Sequence, residues 1–520
     1  MPYARTFVRP ILNSLLAIAV ATQGSLAFAY AGSQVDDTVK DETSLLTGKK
    51  MAGTKAAFCL AVEDGPVKGY NQDQLVRTAS VTKTLTTFWA VEQLGPNFQY
   101  STKIYYQPSN HELHIEGQRD PFFDRDRIFT LLADLNRKGI THLDRLTVDS
   151  NFWFWPDATE IRYLGGSGYH RKAYRPSKKS AARRHGHHAM NLGLTPSREP
   201  ASIFSLGNKP FRQFVEVESH TDQTLAGDPK KIMIYLMASM NTEKWNDTLK
   251  KRYQRARALN PGLNLPEQVK MSVDKIDIVL PQANPLLGKP DVSKFVVKSA
   301  PIKNFLKLMN IWSINPWAEE VFFSLGGKTR FQSFMQSNYQ YGERVANVNS
   351  GSGVNLHGAR RDDSMVSCST VVHMIRTLDQ DLEEKYKLDL SDVMAVPGND
   401  GGTWQDATKS LVVKTGTLKH PTPTKNLAGV QETANGEVYF GIFVDRKGGN
   451  SGTVRNLVTH FERHFRGVKV NEAPYTFSPI GEFTHMSALG TALPPRAPRV
   501  PPPPVRISIP APALIMKARL

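Results

Sequence analysis

Two residues, Ser80 and Lys83, have the types and the spacing needed for acyl transfer. Residues three apart on a helix lie on one face, with Cβ atoms roughly 5–6 Å apart, so the Lys83 amine can reach the Ser80 hydroxyl and take its proton. A serine activated in this way is a nucleophile. The helix is predicted by apolar residues at helical spacing and by a Gly-Pro stop, namely Val81, Leu85, Phe88, Trp89 and Gly95-Pro96.

The Ser-x-x-Lys pattern alone is a weak signal, because both residue types are common and a serine here also suits the N-cap of a helix. A second copy runs from Ser272 to Lys275. There the apolar residues alternate, which predicts a strand, and residues three apart on a strand face opposite sides. We therefore interpret the second copy as a chance occurrence.

A Ser-x-Asn pattern, Ser313 and Asn315, lies on a predicted joint between two helices, one over 301–311 and the other over 317–325. Residues two apart face the same way only where the backbone leaves the helical path, so this joint can present both side chains to a cleft. Another Ser-x-Asn, beginning at Ser239, lacks this frame of two helices.

A third group, Lys414-Thr415-Gly416-Thr417, lies on a strand predicted over 411–418, and a neighbouring strand is predicted over 438–444. Gly416 suits a strand edge that a ligand backbone approaches closely. The alternative interpretation is that these are ordinary strand residues without a catalytic role. For the Ser-x-Asn pair, the alternative is a structural cap between the two helices.

In this order, the three motifs resemble those of the class C low-molecular-mass penicillin-binding proteins, which are D-alanyl-D-alanine carboxypeptidases and endopeptidases of peptidoglycan. The resemblance spans about residues 55–465 and includes Gly351-Ser352-Gly353 and Leu427-Ala428-Gly429. The sequence departs from the family at Ile314, where Asp or Asn is usual, at Ser350, where Asp is common, and at Val354-Asn355, where Leu-Ser is common.

The resemblance implies an α/β (α+β) fold. In this fold, a penicillin-binding/β-lactamase-like transpeptidase domain of antiparallel sheet and helices is interrupted by a β-rich insert of one or two small domains. The long separation of the first two motifs leaves room for such an insert, which a compact β-lactamase lacks.

The resemblance also implies which residues perform the reaction. Ser80 attacks the carbonyl between two D-alanines, and Lys83 is the base if burial beside Lys414 lowers the pKa of its amine. Ser313 relays the proton to the leaving amine. The backbone N–H groups of Ser80 and Thr417 form the oxyanion hole.

Substrate binding is implied for the remaining motif residues. Asn315 would hydrogen-bond the substrate amide. Lys414, Thr415 and Thr417 would hold the terminal carboxylate, and the substrate backbone would approach the strand closely at Gly416. The implied partners are peptidoglycan stem peptides and, as covalent inhibitors, β-lactam antibiotics. We expect neither an inorganic cofactor nor a metal ion for this acyl transfer.

Two other functions stay open on the sequence alone. A serine β-lactamase would share the acylation step and differ in how fast water removes the acyl group. A non-catalytic wall-binding scaffold on the same fold would keep the basic surface, but a decayed site usually loses one of the motif residues, and all are present here. The sequence does not distinguish carboxypeptidase from endopeptidase activity, and it does not give the oligomeric state.

Residues 1–31 have the basic start, apolar run and small-residue endings of a secretory signal peptide, with cleavage predicted near Ala29 or Ala31. An uncleaved anchor is the alternative, although the apolar run falls short of the roughly 20 residues that span a bilayer. We therefore expect an exported protein of the periplasm or the envelope exterior. Residues 32–50 are polar, and we expect them to be poorly ordered.

The chain has 65 Lys and Arg against 48 Asp and Glu, a formal net charge of +17. Such a charge suits an acidic polymer or surface. We expect no nucleic-acid partner, because the sequence has no nucleic-acid-binding motif and an exported protein rarely meets one; anionic envelope polymers fit better. The two cysteines, Cys59 and Cys368, provide no disulfide framework, and the sequence does not show whether they pair.

The length of the chain indicates more than one domain. The predicted organisation is a signal peptide over 1–31, transpeptidase-like parts over 32–105 and 292–475, an inserted β-rich region over 106–291 and a proline-rich disordered tail over 476–520.

A basic segment over 170–188 has seven Lys and Arg and no acid, with a cluster of three histidines at His185, His187 and His188. We interpret it as a solvated loop rather than a metal site, since it lacks a suitably spaced carboxylate or cysteine. This segment and the tail are predicted to contact the envelope surface.

Overall fold

A computed structural model provides the fold of the chain. It describes residues 33–47, 55–118, 125–149, 236–259, 264–279, 283–339, 346–357, 360–400, 410–418, 423–434, 436–445, 450–468 and 480–485, with Asp120, Phe123 and Phe152. Among these residues, no helix combines the length and the apolar character needed to cross a bilayer.

The central element is an antiparallel five-stranded sheet in the order β13-β14-β15-β1-β2. Its long strands are rich in Val, Leu, Ile and Phe, and most of their residues are buried on both faces, as expected for a sheet between two layers of helices. The strands are β1 Lys55–Val62, β2 Lys68–Tyr70, β13 Leu411–Leu418, β14 Thr424–Thr433 and β15 Gly436–Asp445.

One face of this sheet packs on a layer of five helices that contributes most of the largest hydrophobic core. Trp89 lies within this layer, edge-on to Phe322 and Phe331, with ring centroids 5.3 and 5.2 Å away. The helices are α2 Thr82–Leu94, α5 Ile302–Trp312, α6 Asn315–Ser324, α7 Gly327–Tyr339 and α8 Cys368–Asp381.

The other face of the sheet is covered by helix α1, over 33–47, and by helix α10, Asn450–His464. The expectation that residues 32–50 lack order is therefore wrong for most of that segment. The buried stripe of α1 is Val35, Thr38, Glu42 and Leu46, at helical spacing. Because two of these four residues are polar, the hydrophobic pattern in the sequence is too weak to reveal the helix.

A second hydrophobic core is built on a mixed six-stranded sheet in the order β16-β8-β4-β5-β6-β7, in which β5, β6 and β7 run parallel. Helices α3, Arg125–Arg137, and α4, Asp247–Leu259, pack in this core, so the inserted region contains helices as well as strands. The strands are β4 Ser101–Gln107, β5 Glu112–Glu116, β6 His142–Asp149, β7 Ser272–Val279, β8 Ser293–Ser299 and β16 Ile480–His485.

Short elements complete the described chain. A three-stranded sheet has the order β3-β12-β9, and β10 pairs with β11 as a hairpin. A short helix, α9, precedes β13. These elements are β3 Leu75–Arg77, β9 Ala346–Asn347, β10 Val354–His357, β11 Arg360–Asp363, β12 Met365–Ser367 and α9 Pro397–Asp400.

The two cysteines form a disulfide, which the sequence had left open. Cys59 on β1 is bonded to Cys368 at the start of α8, and the two are 309 residues apart in the chain. Both side chains are fully buried where α8 packs on the sheet. The bond therefore ties strand β1 of the five-stranded sheet to the helical layer.

The predicted strand at Ser272–Lys275 is confirmed as the start of β7. Strand β16 lies within the segment predicted as a tail and pairs with β8. The predicted signal peptide, the basic segment over 170–188 and the tail beyond residue 485 lie outside the described residues.

Candidate active site

Ser80 lies in a single 3₁₀ turn, Ala79–Val81, that leads directly into α2. The preceding Ala79 has a φ of 49°, a left-handed conformation that costs a non-glycine residue of order 1–3 kcal/mol. Thr78 holds the turn in place, because its N–H donates to Ser364 O at 3.2 Å and its carbonyl accepts from Val81 N at 3.1 Å. The strained turn thus sets Ser80 at the entrance of the helix rather than within it.

Lys83 is the second residue of α2, and its side chain is buried. Residues three apart at the entrance of a helix lie on one face, which brings the amine beside the hydroxyl. Lys83 Nζ lies 3.1 Å from Ser80 Oγ and 2.7 Å from Asn315 Oδ1. Two of the three sequence motifs therefore meet at one nitrogen atom.

The joint between α5 and α6 positions the second motif. Ser313 ends α5 in a left-handed conformation with a φ of 55°, and Asn315 begins α6. Between them, the backbone of Ile314 is extended and its side chain is 1% exposed. Its N–H donates to Met309 O at 3.0 Å. An apolar residue at this spacer position therefore anchors the joint in the core.

Lys414 on β13 is fully buried. Burial, and secondarily the nearby charge of Lys83, holds the pKa of Lys414 well below its usual value. Lys414 Nζ donates to Thr415 O at 2.8 Å. The two lysines of the first and third motifs are thus close enough for their charges to repel.

Gly416 is the point at which β13 meets the Ser80 turn. A Cβ at this position would lie 2.7 Å from Thr78 O and 3.2 Å from the Cβ of Ala79. Any side chain here would push the strand away from the nucleophile. Thr417 is exposed, and its Oγ1 accepts from Lys425 Nζ at 2.9 Å.

One buried residue near the site was not predicted as functional. Glu319 on α6 accepts from Gly351 N at 3.0 Å and from Ser352 N at 2.9 Å. Burial raises the pKa of Glu319, and the hydrogen bonds and the charge of Lys83 oppose that shift. Two adjacent acidic residues, Glu319 and Glu320, in a largely apolar helix were the available sequence signal.

The loop that Glu319 holds also packs on the Ser80 turn. Thr86 Oγ1 on α2 donates to Gly351 O at 2.8 Å. Gly353 has a φ of 86°, and a Cβ there would lie only 2.0 Å from Ala79 O. The loop 351–353 therefore closes against the backbone that presents Ser80.

Side-chain hydrogen bonds in the described chain join the first two motifs, and β13 approaches them through Gly416 and Lys414. Ser313 is placed near them by its backbone, two residues before Asn315. The second Ser-x-Asn has a structural role, since Asn241 accepts from Val273 N at 2.8 Å in the other core. A hydroxyl beside a buried amine, with an amide on its far side, is an arrangement suited to nucleophilic acyl transfer.

The sequence profile of the D-Ala-D-Ala carboxypeptidase 3 (S13) family matches residues 34–160 and 276–464, which is more than half of the chain. The chain belongs to this family. It is a serine peptidase, and its mixed helix and antiparallel sheet is a penicillin-binding/β-lactamase-like fold.

Solved structures from Bdellovibrio bacteriovorus are similar to this S13 peptidase. The predatory peptidoglycan endopeptidase Bd3459 is 23% identical, with a TM-score of 0.66, over 83% of this chain and 99% of that one. The predatory endopeptidase Bd0816, in complex with immunity protein Bd3460, is 23% identical, with a TM-score of 0.65, over 83% of this chain and 100% of that one. Penicillin G-acylated Bd3459 is 22% identical, with a TM-score of 0.59, over 83% of this chain and 100% of that one. At this identity the likeness supports the fold.

Proposed function

We propose that this S13 peptidase is a D-Ala-D-Ala carboxypeptidase/endopeptidase that cleaves peptidoglycan stem peptides through an acyl-enzyme on Ser80. The observation that carries the proposal is the position of Lys83 Nζ, 3.1 Å from Ser80 Oγ and 2.7 Å from Asn315 Oδ1. A buried amine at this distance suits a general base. Membership of the family supplies the substrate class.

In the first step, Ser80 Oγ attacks the carbonyl carbon between two D-alanines while its proton passes to the neutral Lys83 amine. The carbonyl oxygen becomes an oxyanion that the N–H groups of Ser80 and Thr417 stabilise. The C–N bond then breaks, and the departing amine takes a proton from Ser313, which recovers one from the protonated Lys83, so that Lys83 is neutral again. The products of this step are an ester on Ser80 and a free amino group.

In the second step, a water molecule replaces the amine. Lys83 takes a proton from this water, which attacks the ester carbonyl. The C–O bond to Ser80 breaks, the serine recovers its proton, and the shortened peptide leaves with a carboxylate. The same two steps describe removal of a terminal D-alanine and cleavage of a cross-link.

Recognition of the substrate is assigned to five residues. Asn315 hydrogen-bonds the substrate amide, and Lys414, Thr415 and Thr417 bind the terminal carboxylate. Strand β13 comes close to the Ser80 turn at Gly416. This contact supports the assignment, because it places the strand edge beside the nucleophile. Lys414 is buried and, in the part of the chain that the structure describes, forms no ion pair with a carboxylate; the substrate carboxylate would supply that partner.

We further propose that the protein is exported to the periplasm or envelope exterior, where its substrate lies. The basic regions would contact anionic envelope polymers. β-Lactams would be covalent inhibitors, as in the penicillin G-acylated Bd3459 structure. Bd3459 is itself described as a peptidoglycan endopeptidase, which supports cross-link cleavage as one of the two activities.

Digestion of purified peptidoglycan tests the proposal. The wild-type protein and the Ser80→Ala variant would be incubated with the polymer, followed by chromatography of the muropeptides and assay of free D-alanine. We expect free D-alanine, loss of cross-linked dimers, or both, and neither with Ser80→Ala. Unchanged peptidoglycan with the wild-type protein, combined with rapid hydrolysis of penicillin, would indicate a β-lactamase instead.

A further inference from the structure

Two histidines and two aspartates converge on the six-stranded sheet, outside the catalytic motifs. His142, Asp144 and Asp274 each present one ligand atom, and these atoms all lie within 4.8 Å of one another. His111 joins them, since its Nδ1 lies 3.8 Å from Asp144 Oδ2. The four side chains are 41–67% exposed, so solvent ions have access to them.

Strand register brings the two carboxylates together. Strands β6 and β7 run parallel, and His142 on β6 lies beside Ser272 on β7. The residues two positions further along, Asp144 and Asp274, therefore lie side by side on one face of the sheet. Residues that face each other on β6 and β7 are 130 positions apart in the sequence, so no local sequence pattern reveals the arrangement.

His111 is held next to β6 by its own backbone. It follows a 3₁₀ turn in a left-handed conformation with a φ of 46°, and its carbonyl accepts from Asp144 N at 3.0 Å. The His111 and His142 ring centroids are 6.1 Å apart. The turn before β5 thus adds a second imidazole to the cluster.

His142 has the surroundings of a metal-binding histidine. One ring nitrogen, Nδ1, lies 2.7 Å from Ser272 Oγ, and the other, Nε2, lies 2.7 Å from Asp144 Oδ1 and 3.7 Å from Asp274 Oδ2. Metal-binding histidines usually have one nitrogen fixed by a hydrogen bond while the other faces the ion. Ser272 supplies that hydrogen bond, which gives a role to the serine of the second Ser-x-x-Lys.

Charge also favours a cation at this position. Carboxylates side by side on neighbouring strands repel each other. In the described part of the chain, the ion pairs of Asp144 and Asp274 are formed with histidines, whereas Arg145 and Lys275 pair with Asp277. A cation held between the two carboxylates would offset this repulsion.

We propose that His111, His142, Asp144 and Asp274 form a binding site for Zn²⁺. Two imidazole nitrogens and two carboxylate oxygens are a donor set that zinc accepts in tetrahedral geometry, whereas Ca²⁺ and Mg²⁺ prefer oxygen ligands alone. Bonds of about 2.0–2.2 Å place tetrahedral ligands roughly 3.3–3.5 Å apart. The ligand atoms of His142, Asp144 and Asp274 lie within 4.8 Å of one another, and His111 Nδ1 lies 3.8 Å from Asp144 Oδ2. Rotation of these exposed side chains would bring the four ligand atoms to the tetrahedral spacing.

The ion would act as a structural clamp. Strand β7 is the edge strand of the six-stranded sheet, and its neighbour β6 precedes it by more than a hundred residues. A metal bonded to both strands and to the turn before β5 fixes this edge. Acylation of Ser80 is independent of it, because the cluster shares no residue with the catalytic motifs.

Zinc binding by the metal-free full-length protein tests the proposal at neutral pH. All proteins would carry Ala at His185, His187 and His188, so that the histidine-rich segment does not bind zinc. We expect one equivalent of Zn²⁺ by equilibrium dialysis and calorimetry, with a Kd in the micromolar range or tighter. Binding should weaken at least about 100-fold in His142→Ala and about 10-fold in Ser272→Ala, whose side chain only orients the ligand.

The matched control is His464→Ala, which removes a surface histidine paired with one aspartate, Asp41, and should leave zinc binding unchanged. Co²⁺ provides a spectroscopic readout, since tetrahedral coordination gives intense visible bands that His142→Ala should abolish. Retained penicillin labelling shows that each variant is folded. Absence of saturable binding below millimolar zinc, or binding unaffected by both His142→Ala and Asp144→Asn, overturns the proposal.

Discussion

The Lys83 amine lies closer to Asn315 Oδ1, at 2.7 Å, than to Ser80 Oγ, at 3.1 Å. An amide oxygen can accept one N–H from a neutral amine and leave the nitrogen lone pair for the serine proton. The interaction therefore positions the base beside the Ser80 hydroxyl.

Replacing Asn315 by Asp tests this role of the amide. A carboxylate would stabilise the charged form of Lys83, which cannot accept a proton. We expect the rate of acylation by penicillin to fall by about a hundredfold near neutral pH and to recover partly as the pH rises. Asn315→Ala should lower the rate without that recovery. Equal pH profiles for the two variants would contradict the assignment.

Lys414→Ala should weaken recognition of substrates with a free terminal carboxylate. A charge-assisted hydrogen bond in a buried site contributes roughly 1.5–3 kcal/mol, which is about ten- to a hundredfold in kcat/KM. The measurement compares two ester substrates that differ only in this carboxylate. An equal loss for both esters would remove Lys414 from carboxylate binding.

Gly353→Ala should disturb the turn that presents Ser80. The new Cβ would lie 2.0 Å from Ala79 O, and the φ of 86° is strained for alanine. We expect destabilisation of about 1–3 kcal/mol and at least tenfold slower acylation. Gly452→Ala is the matched control, because a Cβ there meets nothing within 4 Å. Normal acylation by Gly353→Ala would show that the loop does not shape the site.

The second core should lose stability in acid because of His114. This buried histidine lies 2.8 Å from Thr147 Oγ1, and burial lowers its pKa to about 4. An unfolded histidine titrates near pH 6.5, so between these values the unfolded state binds more protons. Stability present above about pH 6.5 is therefore lost as the pH falls towards 4, by at most about 3 kcal/mol.

Hydrogen exchange of the β5 and β6 amides at several pH values measures this loss. In His114→Gln the dependence on pH between about 4 and 6.5 should be smaller. An unchanged dependence would assign the acid sensitivity to other groups.

The sequence predicts well what depends on local chemistry. The apolar spacing after Ser80, the joint at Ser313 and the strand predicted around Lys414 each correspond to an element that the structure contains. The 3₁₀ turn at Ser80 was not predicted, because it depends on the left-handed Ala79 and on contacts with residues far along the chain.

Other features arise from long-range packing and leave little trace in the sequence. Glu319 acquires its role only when loop 351–353 folds onto α6. The bond between Cys59 and Cys368 needs the pairing of sheet and helix. The cluster around His142 needs a strand register across 130 residues.

Covalent labelling by penicillin tests the central claim most directly. The protein would be exposed briefly to penicillin and digested, and the mass of each peptide measured. We expect the added mass on the peptide that contains Ser80, none on the peptide that contains Ser272, and none in Ser80→Ala. The adduct should persist, since the leaving amine stays tethered in the acyl-enzyme. Label on Ser272, or label that survives Ser80→Ala, would contradict the assignment of Ser80 as the nucleophile.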